Sequence, residues 1–247
     1  MMAIKLPARP KTQVRPKAQA RPEASGKSSK PLARAPSLAE QTRIILEDKI
    51  VSLELEPGSM WSEGDLANLT GFGRTPVREA LKRLESLHLV RIVQRHGVQI
   101  TPINVEQQLL LLETRRELER LVAGRAARRR SESQSARCTE FARGLRDAGR
   151  RGDMVAFRQL YSEAQQLILE AAGNPFAAAA VSPLYALSKR FYVLHHRTAQ
   201  DLRLACEYHA KTLLAVAARD ESAARLAVDA VLDYVEGFTR STLAAPT

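Results

Sequence analysis

The side chains in this sequence with the most chemistry to offer are cations rather than nucleophiles. Between Arg74 and Arg95 stand six basic residues (Arg74, Arg78, Lys82, Arg83, Arg91, Arg95) and two acids, Glu79 and Glu85. Arg78 and Lys82 are four positions apart, so a helix makes them neighbours on one face. Val77, Ala80, Leu81, Leu84 and Leu87 fall on the opposite face. Such a helix packs on one side and presents cations on the other. Arginines so placed can read guanine edges, and the helix N-terminus can approach a phosphate. Arg95-His96-Gly97 puts a second set of donors into a turn. The other candidates are sparse. Cys138 and Cys206 are the only cysteines, which excludes a disulfide scaffold and a multi-cysteine zinc module. His195 and His196 are adjacent and point to different sides of a helix, and His209 stands alone. With no Gly-x-Ser-x-Gly, no phosphate loop and no metal cluster, the expectation is a binding protein and not an enzyme.

The elements around the basic helix have a definite order. Ser37 can cap a helix from Leu38 to about Leu53, with Ile44, Ile45, Ile50, Val51 and Leu55 as its apolar face. Glu56-Pro57-Gly58-Ser59 breaks it, and Met60-Trp61 reads as a short strand. Ser62 and Asp65 form a capping pair for a short helix to about Leu69. Thr70-Gly71-Phe72-Gly73 is a tight turn. Thr75 then reads as the cap of the basic helix, with Pro76 at its first position. Val90 and Ile92, then Val98 and Ile100, alternate on either side of the Arg95-His96-Gly97 turn and predict a β-hairpin. Helix, short helix, turn, helix and basic hairpin make a winged helix-turn-helix over residues 38–104.

Charge divides the chain of 247 residues differently from its pI of about 10.1. Residues 1–37 carry nine basic residues and one acid, residues 38–104 carry a net −1, and residues 105–247 a net +4. The first segment is rich in Pro, Ala and Ser and poor in large apolar side chains, so it is expected to be a disordered basic tail adding salt-sensitive affinity for DNA. No run of about 18 apolar residues suggests a membrane span, and the first residues lack the apolar core of a secretory signal. A reducing cytoplasm is the expected setting.

Residues 105–247 read as all helix, over 105–130, 135–151, 154–172, 176–196, 202–218 and 222–243. The breaks fall at Gly149/Gly152, at Gly173-Asn174-Pro175 and at Asp220 as an N-cap. The expected fold class is mainly α: the winged helix-turn-helix followed by an all-α antiparallel bundle.

The run Arg74-Thr75-Pro76-Val77-Arg78-Glu79-Ala80-Leu81, with Leu55-Glu56-Pro57-Gly58 before it and Arg95-His96-Gly97-Val98 after it, resembles the DNA-binding domain of GntR-type bacterial transcription regulators. The resemblance implies that Arg74, Thr75 and Arg78 contact bases and phosphates, that His96 and Gly97 enter the minor groove, and that Glu63 orients the arginines. Lys82 and Arg95 join this DNA-binding set by their place on the basic face and hairpin tip. Two departures stand out. Gly64 occupies a position that often carries a DNA-contacting arginine, and Gly73 stands where serine is usual. Arg115-Arg116-Glu117-Leu118-Glu119, Glu170-Ala171-Ala172-Gly173-Asn174-Pro175 and His209…Asp220 are similar to the FadR-like branch of that family, whose C-terminal FCD bundle binds an effector.

Many members of that branch hold a divalent metal through one Asp and three His. Counted from Gly173-Asn174-Pro175 and from Asp220, three of those positions are Tyr161, Gln165 and Val231, and only His209 remains. No metal and no other cofactor is therefore expected. Arg115, Tyr161, Gln165, Arg190 and His209 are the candidates to line an effector cavity, where an arginine suits an organic acid through a bidentate pair; Arg115 or Arg190 could equally form a structural ion pair. The resulting expectation is a homodimeric repressor that binds double-stranded DNA at an inverted-repeat operator under control of a carboxylate metabolite. An effector-independent architectural DNA-binding protein is one alternative. A metabolite-binding helical protein with a vestigial DNA-binding module is the other.

Overall fold

The computed structural model describes residues 36–196 and 198–243. Apart from Pro36 and Ser37, the expected basic tail lies outside them.

Ser37 caps α1 (Leu38–Val51), its Oγ accepting from the Glu40 N–H at 3.2 Å. The buried stripe is Ala39, Thr42, Leu46, Ile50 and Val51. Ile44, expected on it, is 48% exposed: it lies two residues from both Thr42 and Leu46, and positions two apart face different sides of a helix. The helix stops before Leu53, which adopts a left-handed backbone with φ 66°. Ser62 and Asp65 form the expected capping box on α2 (Glu63–Thr70). The basic helix α3 spans Arg74–Ser86 and buries Val77, Ala80, Leu81 and Leu84. Strands β1 (Met60–Trp61), β2 (Val90–Val93) and β3 (Gly97–Ile100) form an antiparallel sheet in the order β1-β3-β2. Val98 and Ile100 are buried, as is Val90, but Ile92 is 40% exposed because β2 leaves the core after its first residue.

The remaining helices are α4 (Val105–Arg129), α5 (Glu132–Arg151), α6 (Met154–Ala172), α7 (Pro175–His195), α8 (Ala199–Ala217) and α9 (Glu221–Ser241). Two begin three residues earlier than the apolar pattern indicates. Ser131 with Gln134, and Thr198 with Asp201, are capping boxes that start α5 and α8. Gly152-Asp153 joins α5 to α6 and three residues join α8 to α9, connections short enough to make those neighbours antiparallel. Small residues let the helices approach closely. A Cβ on Gly149 would stand 2.9 Å from Cys206 Cβ and 3.2 Å from Arg203 Cα, at the α5–α8 crossing. No helix among the described residues is long and apolar enough to cross a membrane.

The interior has two cores, one in the bundle and one in the winged domain, and the second takes in Ala186 of α7. That helix is thus shared. Tyr185 belongs to the bundle core, whereas Ala186 and Leu187 pack against the winged domain. Arg190 donates from Nη1 to the Thr101 carbonyl at 2.9 Å and from Nη2 to the Pro102 carbonyl at 3.3 Å, gripping the linker that leads from β3 to α4.

Candidate functional site

The first turn of α3 is open. Gly73 and not Thr75 is its N-cap, and no side chain caps it. The helix starts earlier than Thr75 because Pro76, without an N–H, fits the third helical position as well as the first: the first intrahelical bond is Val77 N–H to the Gly73 carbonyl, 3.3 Å. With glycine as the cap, the first-turn N–H groups have no side-chain oxygen of their own and can meet a phosphate. Arg74, Thr75, Arg78 and Lys82 are all exposed. Glu63 accepts from Arg78 Nε at 2.7 Å, linking α2 to α3. The Arg74 guanidinium passes 3.9 Å from where a Cβ on Gly64 would stand, so it covers the space left by the missing side chain. Farther along, Arg83 bonds Glu40 at 2.7 Å, and Glu40 also bonds Arg43, so those two cations serve the α1–α3 contact.

The wing tip is a three-residue turn, Gln94-Arg95-His96. Arg95 adopts φ 64°, and the His96 ring Nδ1 lies 2.9 Å from the Gln94 carbonyl. Both side chains are exposed. Gly97 has a structural reason of its own. Its φ is 103°, and a Cβ there would sit 2.4 Å from the Trp61 carbonyl oxygen, so any side chain would push β1 off β3.

In the bundle, Tyr161 and Gln165 of α6, His209 of α8 and Val231 of α9 border one cavity, together with Glu119 of α4 and Tyr185 of α7. The cavity is about 20 Å³, room for about one water molecule. Its charges are already satisfied. Arg115 and Glu119 are both buried, and Arg115 Nε donates to Glu119 Oε1 at 2.5 Å. Arg115 Nη1 donates to Ser188 Oγ at 2.7 Å, Gln108 Nε2 to the same oxygen at 2.9 Å, and the guanidinium lies over the Tyr185 ring. Burial opposes the Arg115 charge, but Glu119 and the neighbouring tyrosines hold its pKa above the ordinary value. His209 lies 4.6 Å from Tyr161, centroid to centroid. Burial, with the Arg115 charge behind it, pushes its imidazole down to about 3, so the ring is neutral.

The positions that would hold a metal therefore do meet, but their side chains do not fit one. They offer a phenol, a carboxamide, one imidazole and an isopropyl group, beside a fixed cation. Among the described residues no three His, Cys, Asp or Glu side chains stand close enough to hold a metal ion. Both cysteines are buried, and burial pushes the thiols up, Cys138 to about 11 and Cys206 to about 12, which leaves them poor nucleophiles.

Of the five residues expected around the effector cavity, Tyr161, Gln165 and His209 line it and Arg115 braces its Glu119. Arg190 does not. It faces the winged domain one turn beyond Tyr185 and Ala186, because α7 exposes its two sides to different domains. Glu119, Tyr185 and Ser188 were missed. The four-residue spacing of Arg115 and Glu119 was a usable signal for the pair; nothing local marks Tyr185 or Ser188.

The family model for bacterial regulatory proteins of the gntR family matches residues 38–100, and the FCD domain model matches residues 110–234. Among solved structures, E. coli McbR/YncC aligns with a TM-score of 0.75 at 21% identity, covering 85% of this chain and 100% of its own. A GntR transcriptional regulator from Rhodococcus sp. RHA1 aligns at 0.66 and 19% identity, over 86% and 100%. Lar, which controls the agr system of Listeria monocytogenes, aligns at 0.53 and 15%, over 85% and 99%. These structural likenesses establish the fold. The family matches, on the sequence that builds the open basic helix and the bundle, establish the rest: the chain belongs to the GntR family, joins its DNA-binding domain to an FCD domain, and is a transcription regulator and not an enzyme.

Proposed function

We propose that this regulator binds an inverted-repeat operator as a homodimer, with Arg74, Thr75, Arg78 and Lys82 in the major groove and Arg95, His96 and Gly97 at the minor groove. The observation that carries this reading is the two-sidedness of α3. Four apolar residues are buried while the basic residues stay in solvent, and its first turn has no side-chain cap. Glu63 holds Arg78 before DNA arrives, so less side-chain freedom is lost on binding. We place it in the cytoplasm and read its action as repression, exerted by a dimer that occupies the operator and blocks access to it.

The effector site of the FCD domain is the cavity around Tyr161, Gln165 and His209. A metabolite needs roughly 300 Å³ or more, far beyond the 20 Å³ present. An effector must therefore favour a different packing of α4, α6, α7 and α8, which is how a ligand shifts a two-state protein. An organic acid reaching this cavity has to separate Arg115 from Glu119. Moving Arg115 also disturbs its bond to Ser188, which Gln108 shares, on α7, the helix that packs on the winged domain.

The test begins with selection of an operator from random duplexes, followed by fluorescence-anisotropy titration. Arg78→Ala is expected to lose about 1–3 kcal/mol at the selected site and little on random DNA. Equal binding of mutant and wild type to both duplexes would remove Arg78 from the recognition set.

A further inference from the structure

Three arginines are buried among the described residues: Arg115, Arg130 and Arg190. Arg115 pairs with Glu119 at 2.5 Å and Arg130 with Glu132 at 2.7 Å. Arg190 is 5% exposed, and among the described residues no carboxylate pairs with it; its bonds run to the two linker carbonyls. Burial alone pulls its pKa down to about 10, with no acidic neighbour pushing back. A guanidinium carries five N–H donors, and the two linker carbonyls use two. A buried cation without a counter-ion is costly unless something supplies one.

Arg190 lines a cleft of about 560 Å³ between the winged domain and the bundle, within the range of small-molecule sites. Arg91 and His88 border it from the winged domain, and Gln107 from α4. Leu187 and Phe191 give it an apolar wall. Its one acid, Glu85, accepts the Ile92 N–H at 2.8 Å. Two arginines against one carboxylate leave the lining net positive.

We propose that this interdomain cleft is a second ligand site, which binds a small organic carboxylate on Arg190 with its apolar body against Leu187 and Phe191. The site is separate from the bundle cavity. Arg190 grips the Thr101–Pro102 carbonyls, so a carboxylate on its free donors sits at the joint between the wing and α4. Occupancy there bears on how the DNA-binding domain is held.

The test uses the full chain with succinate, benzoate and inorganic phosphate as probes, at ionic strength fixed with chloride. Near 100 times its Kd a ligand should raise the melting temperature by roughly 5–10 °C. Succinate or benzoate is expected to do so, and to slow hydrogen exchange in peptides spanning 101–108 and 184–191. Arg190→Gln should abolish both effects, and Arg190→Lys, which keeps the charge but not the fork, should weaken binding on the order of tenfold. If Arg190→Gln does not fold, the exchange map of the wild type and the Arg190→Lys titration decide. Three results would overturn the proposal: no response to either carboxylate, a response unchanged by the Arg190 variants, or protection confined to 161–168 and 209–213. The last would place the ligand in the bundle cavity, in keeping with the proposed effector site. A response to phosphate alone would also count against a carboxylate site.

Discussion

The winged domain and the bundle each tie an arginine to a glutamate, and they do it in opposite ways. Arg78 bonds Glu63 at 2.7 Å with its side chain 64% exposed. Arg115 bonds Glu119 at 2.5 Å with its side chain 3% exposed. The first pair is screened by water, is worth about 0–1 kcal/mol, and gives way easily to a phosphate or a base. The second is out of water, where removing one partner strands the other at a cost of about 3–5 kcal/mol. Charge meant for a partner is kept exposed and lightly held. Charge inside the bundle is neutralised in place, so anything entering must first rearrange it. Under the proposed function, the winged half meets DNA as it stands, whereas the bundle has to open for an effector.

The most severe way to break this comparison is Glu119→Gln. We expect a loss of about 3–5 kcal/mol, or roughly 6–20 °C in melting temperature for a chain of this size. Glu63→Gln should stay within about 1 kcal/mol and show its effect in operator affinity instead. Equal melting temperatures for the two variants would mean the buried pair is not what distinguishes the bundle.

Gly97→Ala comes next. The added Cβ would meet the Trp61 carbonyl oxygen at 2.4 Å, whereas a Cβ on Gly73 meets nothing within 4 Å. Gly97→Ala should therefore lower operator affinity on the order of tenfold or more, about 1.4 kcal/mol, while Gly73→Ala stays near wild type in melting temperature. A Gly97→Ala protein that binds like wild type would show that the β1–β3 contact does not set the wing.

The effect spread most gradually over conditions is a pH slope. His209 stays neutral down to about 3 in the folded chain and takes a proton near 6.5 when unfolded. The unfolded state thus binds more protons below 6.5, and stability falls as the pH drops through that window, by up to about 1.4 kcal/mol per unit. Denaturant midpoints between pH 7 and 5 should fall more steeply for wild type than for His209→Gln. Parallel slopes would mean that His209 is solvated.

The two-sidedness of α3 was legible because it is local. The spacing of Val77, Ala80, Leu81 and Leu84 against Arg78 and Lys82 already says which side packs. The cavity was legible in position, since landmarks at Gly173-Asn174-Pro175 and Asp220 carry Tyr161, Gln165, His209 and Val231 to one place. What the sequence leaves open depends on contacts distant in it. Whether Arg115 faces a ligand or Glu119, and which domain Arg190 faces, follow from how α7 is wedged between two cores. The early starts of α5 and α8 are a different case: the capping boxes at Ser131 and Thr198 are local signals that set them. Thr75 shows the limit of cap rules, because Pro76 tolerates more than one position in a first turn.

Under the proposed function, the open face and the closed cavity are coupled through α7. Coupling of binding free energies is reciprocal, so DNA can stand in for the unknown effector. Hydrogen exchange of the full chain should be measured with and without the selected operator. Protection is expected at residues 73–82 and 93–97, and with it a change in exchange along 184–192 and in the cavity segments of α6 and α8. Protection at the DNA face with 184–192 and the cavity segments unchanged would contradict it, and would leave the bundle without a route to the DNA-binding domain through this helix.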